Sequence, residues 1–417
     1  MRRLLWPLGL AAALSSPLAA AQPRPDPLPI LDQVPAAGGP LTLDTALALA
    51  AAHNPALAAA AREAEALQGG TIQARLLPNP EISFSVEDTR RDTRTTAAEL
   101  SIPIELGGKR SARMLAAEQA QGVAVAELVA ARAALRAATV GAFFDVLVAQ
   151  ERKRLADGSA QVAARAADIA ARRVAAGKVA PLEETRAQVE RANAELDAEA
   201  ARAQLVQARQ ALGSLWGDPD AGFGEAVGMI DALPARPPIE ALLRDLAQSP
   251  ELAAHRLEVE RRKAVIEVER SKQYPDVRLT AGSQRNNELG RRQTLLGVAI
   301  PLPLFDRNQG NLYEATVRAD QARDLHRALQ VRLEQELRQA SSRLALARKS
   351  AETLRDAVLP GAQRAYEAAT RGFETGKSGF LDVLDAQRTL FQARIRYLAA
   401  MADTYQAAIA IDRVLGR

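Results

Sequence analysis

Residues 100–108 read LSIPIELGG, and residues 298–306 read VAIPLPLFD. Each places an Ile-Pro step, Ile102-Pro103 and Ile300-Pro301, at the end of an alternating apolar run, and each precedes a long Ala- and Arg-rich segment. The repetition extends in both directions. Upstream, Asn54-Pro55-Ala56-Leu57 matches Ser249-Pro250-Glu251-Leu252, and Pro80 matches Pro275, at an offset of 195 residues. Downstream, Gly177-Lys178 matches Gly376-Lys377, and Trp216-Gly217 matches Leu415-Gly416, at 199. Landmarks in one order with so little drift indicate an ancient duplication. The period is far longer than the roughly 20–50 residues of a solenoid repeat, so it describes two large structural halves. The halves are read as 41–217 and 239–417, joined by a Gly-, Pro- and Asp-rich linker at 218–238.

Within each half the order of patterns is the same. A helical segment comes first, from Leu43 to about Leu76 and from Ile239 to about Lys272. A strand pair follows, at about 81–104 and about 276–303. Ile82, Phe84 and Val86 alternate with Ser83, Ser85 and Glu87, and Leu100, Ile102 and Ile104 repeat the alternation. In the second half the apolar positions are Val277, Leu279 and Ala281, then Leu296, Val298 and Ile300. Period-two patterning makes strands with one oily and one wet face. The charged stretches between them, EDTRRDTRTT and SQRNNELGRRQT, suit exposed hairpin loops. Long runs of strong helix formers come next, from Lys109 to about Ala176 and from Arg307 to about Thr375. Leu337, Leu344, Ala351 and Val358 recur every seventh residue and predict one packed seam. At 1.5 Å per residue, each run makes a rod of about 100 Å. Turns at Gly177-Lys178 and Gly376-Lys377, where glycine suits a helix C-terminus, send returning helices back. Pro360, inside the second rod, predicts a kink.

Composition narrows the function. Of 417 residues, 48% are hydrophobic but only 4% aromatic, which favours long, closely packed helices over a core of large rings. The 54 basic and 50 acidic residues are interspersed, so there is no basic stripe for nucleic acid. Arg2-Arg3, the apolar run Leu4–Leu14 and Ala19-Ala20-Ala21 form a secretory signal expected to span 1–21, followed by a Pro-rich segment at 22–40. The chain has no cysteine, which removes disulfides and thiol nucleophiles. No later stretch supplies the roughly 18 consecutive apolar residues of a membrane helix, which leaves β-strands as the route into a bilayer. Four strands cannot close a barrel, and an open edge in lipid strands backbone groups at several kcal/mol each. Closure takes about eight strands or more, so membrane-spanning strands require several copies, and three copies give twelve. Pro103 and Pro301 are then expected where sheet gives way to helix, because Pro ends a ladder.

These residues resemble the TolC-like outer-membrane factors of Gram-negative efflux and secretion systems. The likeness covers about residues 41–416, with GKSGFLDVLDAQRTLFQAR (376–394) its sharpest piece and LPNPEISFSV supporting it. IPIELGGKRSARMLAAE is similar to the heavy-metal (CzcC-like) branch. The resemblance implies a mainly α chain with a transmembrane β-barrel: a homotrimer with twelve strands in outer-membrane lipid, joined to a long periplasmic α-helical tunnel. The implied partners are a periplasmic adaptor and an inner-membrane RND pump. It also implies that Asp382 and Asp385, three apart on one helical face after the turn, form stacked carboxylate rings at the pore constriction; solvated acids at a helix N-terminus are the other reading. Gly177, Lys178, Val179, Gly376, Lys377 and Phe380 would meet the adaptor at the tips. Some family members carry an Arg two residues after the turn glycine, where this chain has Ser378, so a closed latch of that kind is missing. No cofactor, metal site or catalytic constellation is expected: His53 and His326 lack ligand partners. Drug export or type I protein secretion is the alternative cargo, and a soluble periplasmic coiled-coil adaptor the alternative class.

Overall fold

A computed structural model describes residues 39–417 apart from 221, 231 and 376. The expected leader at 1–21 and the Pro-rich segment as far as 38 lie outside the described residues. The first half comprises α1 (Leu43–His53), α2 (Pro55–Ala74), β1 (Glu81–Glu87), β2 (Thr95–Ile104), α3 (Lys109–Ala175) and α4 (Pro181–Ser214). The second repeats the order with α5 (Ile239–Leu246), α6 (Pro250–Ser271), β3 (Val277–Asn286), β4 (Arg291–Ala299), α7 (Gln309–Thr353), a π-turn (Leu354–Val358), α8 (Leu359–Glu374) and α9 (Phe380–Leu415).

The duplicated landmarks have a common physical purpose. Asn54 accepts the Leu57 amide at 2.8 Å, and Ser249 accepts the Leu252 amide at 3.4 Å, so each caps a helix that begins with Pro. These caps split both leading helical segments in two. Gly217 and Gly416, left-handed at φ +82° and +75°, lie against the rings of Pro55 and Pro250. The second contact is close enough that no Cβ fits there. Helix start and half-end therefore lock together in the same way twice.

The strands form one antiparallel sheet in the order β1-β2-β3-β4. Its register aligns the oily positions in rows: Ile82 with Leu100, Ala281 and Leu296, then Ile102 with Leu279 and Val298. This apolar face is also the exposed one. Phe84 is 78% and Leu296 82% exposed, whereas Thr95, Ala97 and Ser101 on the opposite face are buried. A sheet folding in water hides its oil, so this arrangement matches a lipid-facing exterior. Among the described residues, strands β1 and β4 have no partner along their outer edges.

Pro103 departs from expectation. It lies inside β2, opposite Arg278, rather than ending the strand. The ring is tolerated because β1 runs out at the Glu81–Ser101 pair, leaving Pro103 a neighbour on one side only. Pro301 sits two residues beyond β4. The entry into the helices is made instead by Gly108 (φ +71°) and Asn308 (φ +56°), the left-handed residues that precede α3 and α7. Asn308 is held by its side-chain amide, which donates to the Glu269 backbone and carboxylate oxygens, both at 2.8 Å.

The rods are as long as the sequence indicates, with 67 residues in α3 alone. Each half has its main core midway along its rod. Leu41, Leu49, Phe143, Val146, Leu147 and Leu212 fill the first. Leu242, Leu333, Leu337, Leu344, Ile411 and Val414 fill the second. Towards the turns the core thins to alanines, Ala166, Ala167, Ala170 and Ala187, which let backbones approach. The linker straps across this waist: Gln150 exchanges hydrogen bonds with Ala226, and the Tyr405 hydroxyl donates to Ala232 at 2.6 Å. The seam of sevens holds through Leu337, Leu344 and Ala351 but fails at Val358, which is exposed. The π-turn inserts an extra residue there, and the Leu359 amide donates five residues back to Leu354. This widening lets the chain pass Pro360, at the start of α8, without an ordinary helical bond.

Candidate functional site

Two parts of the molecule could act on a solute or a partner: the exposed oily face of the sheet, and the turns at the far ends of the rods. At the first turn the Gly177 amide donates to Val174 at 2.9 Å and the Lys178 amide to Arg173 at 2.9 Å. With Gly177 at φ +65°, this is a Schellman closure that uses up the last carbonyls of α3. Lys178 and Val179 then lead to Pro181, the first residue of α4. The second turn is built alike: the Lys377 amide donates 2.7 Å to Gly372, the equivalent position. Gly376 itself lies outside the described residues. Ser378 folds back over Gly372, where a Cβ would collide with it. The Arg173 guanidinium stands 5.0 Å from the Phe373 ring centre, tying the two tips together. Sequence reasoning missed that pair, since only its position about one turn before each glycine could have signalled it.

The two acids of the second tip differ in their surroundings. Asp382 accepts the Gly379 amide at 2.8 Å, which is the carboxylate half of a capping box; glycine has no side chain to supply the other half. Asp385, one turn further, is exposed and lines a groove between α4 and α9 with Arg186, Glu190, Leu384 and Arg388. Phe380 begins α9. The two tips are not equivalent, because α4 carries Arg186 at the position that Asp385 occupies in α9. Among the described residues no helix is long and apolar enough to cross a membrane, and no group of His, Asp and Glu could hold a metal ion.

Known proteins fit this geometry. The family described as "Outer membrane efflux protein" matches residues 46–218 and 242–417, which is almost the whole described chain. The chain belongs to the outer membrane efflux protein family. It is 54% identical, across the full length of both chains, to the cobalt-zinc-cadmium resistance protein CzcC of Cupriavidus metallidurans. It is 28% identical to the nickel-cobalt-cadmium resistance protein NccC of Alcaligenes xylosoxydans, over 65% of this chain and 63% of that protein. Among solved structures, the Campylobacter jejuni CmeC outer membrane channel superposes with a TM-score of 0.78 at 18% identity, covering 90% of this chain and 85% of that one. The Vibrio cholerae outer membrane protein VceC gives 0.75 at 20% identity, covering 90% and 96%. The sheet is thus the outer-membrane portion of an efflux channel, and the rods are its periplasmic extension.

Proposed function

We propose that three copies of this chain pool their strands into a twelve-stranded barrel and act as the outer-membrane conduit of a tripartite heavy-metal efflux system. A periplasmic adaptor and an inner-membrane RND pump would deliver the cargo to the tips. The observation that carries the cargo assignment is the full-length 54% identity to a cobalt-zinc-cadmium resistance protein. The chain's own chemistry suits a passive conduit: no cysteine and four methionines leave little for selecting soft metals, so selection falls to the pump. The family's members are channels, and nothing here calls for a nucleophile or base.

At the narrow end, Asp385 is proposed as the ring-forming carboxylate of the pore, and Asp382 as the cap that holds the start of α9 while adding a second ring. Three exposed Asp385 carboxylates would draw divalent cations in and disfavour anions. Gly177, Lys178, Val179, Gly376, Lys377 and Phe380 are the proposed adaptor contacts. The domain scheme, with halves at 41–217 and 239–417 joined at 218–238, is proposed as the unit of duplication. Deleting the gene from its host and measuring zinc, cobalt and cadmium tolerance tests the cargo. Restored growth from the wild-type chain but not from one truncated before α9 is expected. Unchanged metal tolerance after deletion, alongside new sensitivity to drugs, would overturn it.

A further inference from the structure

The exposed face of the sheet changes character at one end. Along it the rows run from Ile104 and Val277, through Ile102–Leu279–Val298 and Ile82–Leu100–Ala281–Leu296, to Phe84–Ala98–Ser283–Thr294. The last full row, furthest from the helices, is Val86–Thr96–Arg285–Arg292. Arg285 and Arg292 are directly paired across β3 and β4, both on the exposed side. Like charges placed directly opposite destabilise a sheet. Neither guanidinium makes an ion pair or hydrogen bond with any described residue. One step further out, beyond the end of the ladder, the Arg94 carbonyl accepts the Asn287 amide at 3.1 Å, and the Arg94 guanidinium donates to the Thr89 carbonyl at 3.2 Å within the β1–β2 hairpin.

The depth of this row is informative. From Val277 to Arg285 is eight residues, about 27 Å along a strand. With strands tilted by about 35–45°, this is a height of about 20 Å, close to the roughly 25 Å apolar band of a membrane barrel. The arginines therefore fall at the outer boundary of the bilayer. Towards the opposite boundary the exposed residues include the aromatics Tyr274 and Phe305, with Tyr313 near the start of α7, the residue type that lines the interfaces of membrane barrels. The outer boundary carries no aromatic residue in its place, because Phe84 is the only one in the four strands.

We infer that Arg285 and Arg292, with Thr96 beside them in the same row, form a seat for the phosphate group of an outer-leaflet glycolipid. Two guanidiniums side by side can grip phosphate through paired N–H donors, and the bound anion cancels the repulsion that otherwise makes the pair unfavourable. The inner boundary faces zwitterionic and mixed phospholipid and uses rings, while the outer boundary faces phosphorylated sugar and uses charge. The inference rests on the barrel reading above. The trimer would retain about three glycolipid molecules, one for each arginine pair.

Native mass spectrometry of the detergent-purified trimer, with diphosphorylated lipid A as the probe, tests it. The double variant Arg285→Gln/Arg292→Gln is expected to lose retained lipid A at least tenfold. Arg291→Gln, on the opposite face of β4, is expected to keep it. Lipid A stripped of both phosphates should bind no better to wild type than to the double variant, and millimolar inorganic phosphate should not displace the lipid. In lipid-free detergent the double variant should melt at the same temperature as wild type or higher, and added lipid A should raise the melting of wild type alone. Equal retention by wild type and double variant, or equal binding of phosphate-free lipid, overturns the seat. So does a lipid-free double variant that melts lower, because the arginines would then be stabilised by carboxylates of the protein itself rather than by a lipid phosphate. A wild-type trimer that binds no lipid A defeats the seat alone, whereas a wild-type chain that needs no detergent defeats the barrel reading itself.

Discussion

Replacing Leu296 with Arg separates a lipid-facing sheet from a water-facing one by the size of the effect. Leu296 is 82% exposed and pairs with Ala281, four residues from Val277 at one end of the apolar band and four from Arg285 at the other. That places it about 13 Å along the strand from either boundary, close to the bilayer midplane. A charged side chain on the lipid face of a barrel costs about 2–4 kcal/mol at that depth, so three copies lose about 6–12 kcal/mol per trimer. If the face met water, the same change would lie within about 0.5 kcal/mol, as ordinary surface substitutions do. Gln284→Arg is the matched control, because Gln284 lies on the opposite face of the neighbouring strand. Urea titration of each variant refolded into lipid vesicles, together with the yield of heat-resistant trimer from outer membranes, reads the difference. A large loss for Leu296→Arg and little for Gln284→Arg is expected. Near-neutral behaviour of Leu296→Arg, or equal losses for the two, would refute the orientation of the sheet.

Three further outcomes are expected. Gly177→Ala forces a Cβ onto a residue at φ +65° and should cost about 1–2 kcal/mol, seen as faster hydrogen exchange at the end of α3 and the start of α4 with the waist unchanged. Asp385→Asn should weaken block of single-channel current by divalent cations in a planar bilayer, while Asp382→Asn should mainly loosen the start of α9; unchanged block in both would remove the ring. The Lys153 ammonium, at 2.8 Å, and then the Arg202 guanidinium from α4, at 2.9 Å, hold the Asp157 carboxyl below its ordinary value of 3.8 despite the opposing effect of burial. A depressed carboxylate stabilises the fold above its unfolded value and loses that contribution as pH falls through its folded value. Asp157→Asn should therefore cost about 0.5–1 kcal/mol at neutral pH, with the gap to wild type closing below about pH 3.8 in thermal melts.

Much of the architecture was legible because its signals are periodic. Alternation over Ile82–Val86 and Val277–Ala281 names both the strands and their oily face, and unbroken runs of helix formers name the rods. Glycine at 177 could be assigned to a turn because a left-handed helix end has few other solutions. What escaped the sequence depends on contacts between distant residues. Pro103 could stay in β2 only because β1 stops short of it, a register fact that no local pattern carries. Asn308 adopts a left-handed conformation that is anchored by Glu269, 39 residues away, so the second rod starts at Gln309 rather than at the expected Arg307. The π-turn before Pro360 replaces an expected simple kink, since inserting a residue lets the helix continue past the ring. At the candidate site, a spacing of three put Asp382 and Asp385 on one face, but only the Gly379 amide distinguishes a capping carboxylate from a free one.

The whole description depends on four strands being too few to close. Native mass spectrometry of the protein extracted from outer membranes, released from its detergent in the gas phase, counts the chains directly. Three per particle is expected, with no stable smaller species. A single chain that stays monodisperse in aqueous buffer without detergent would contradict it.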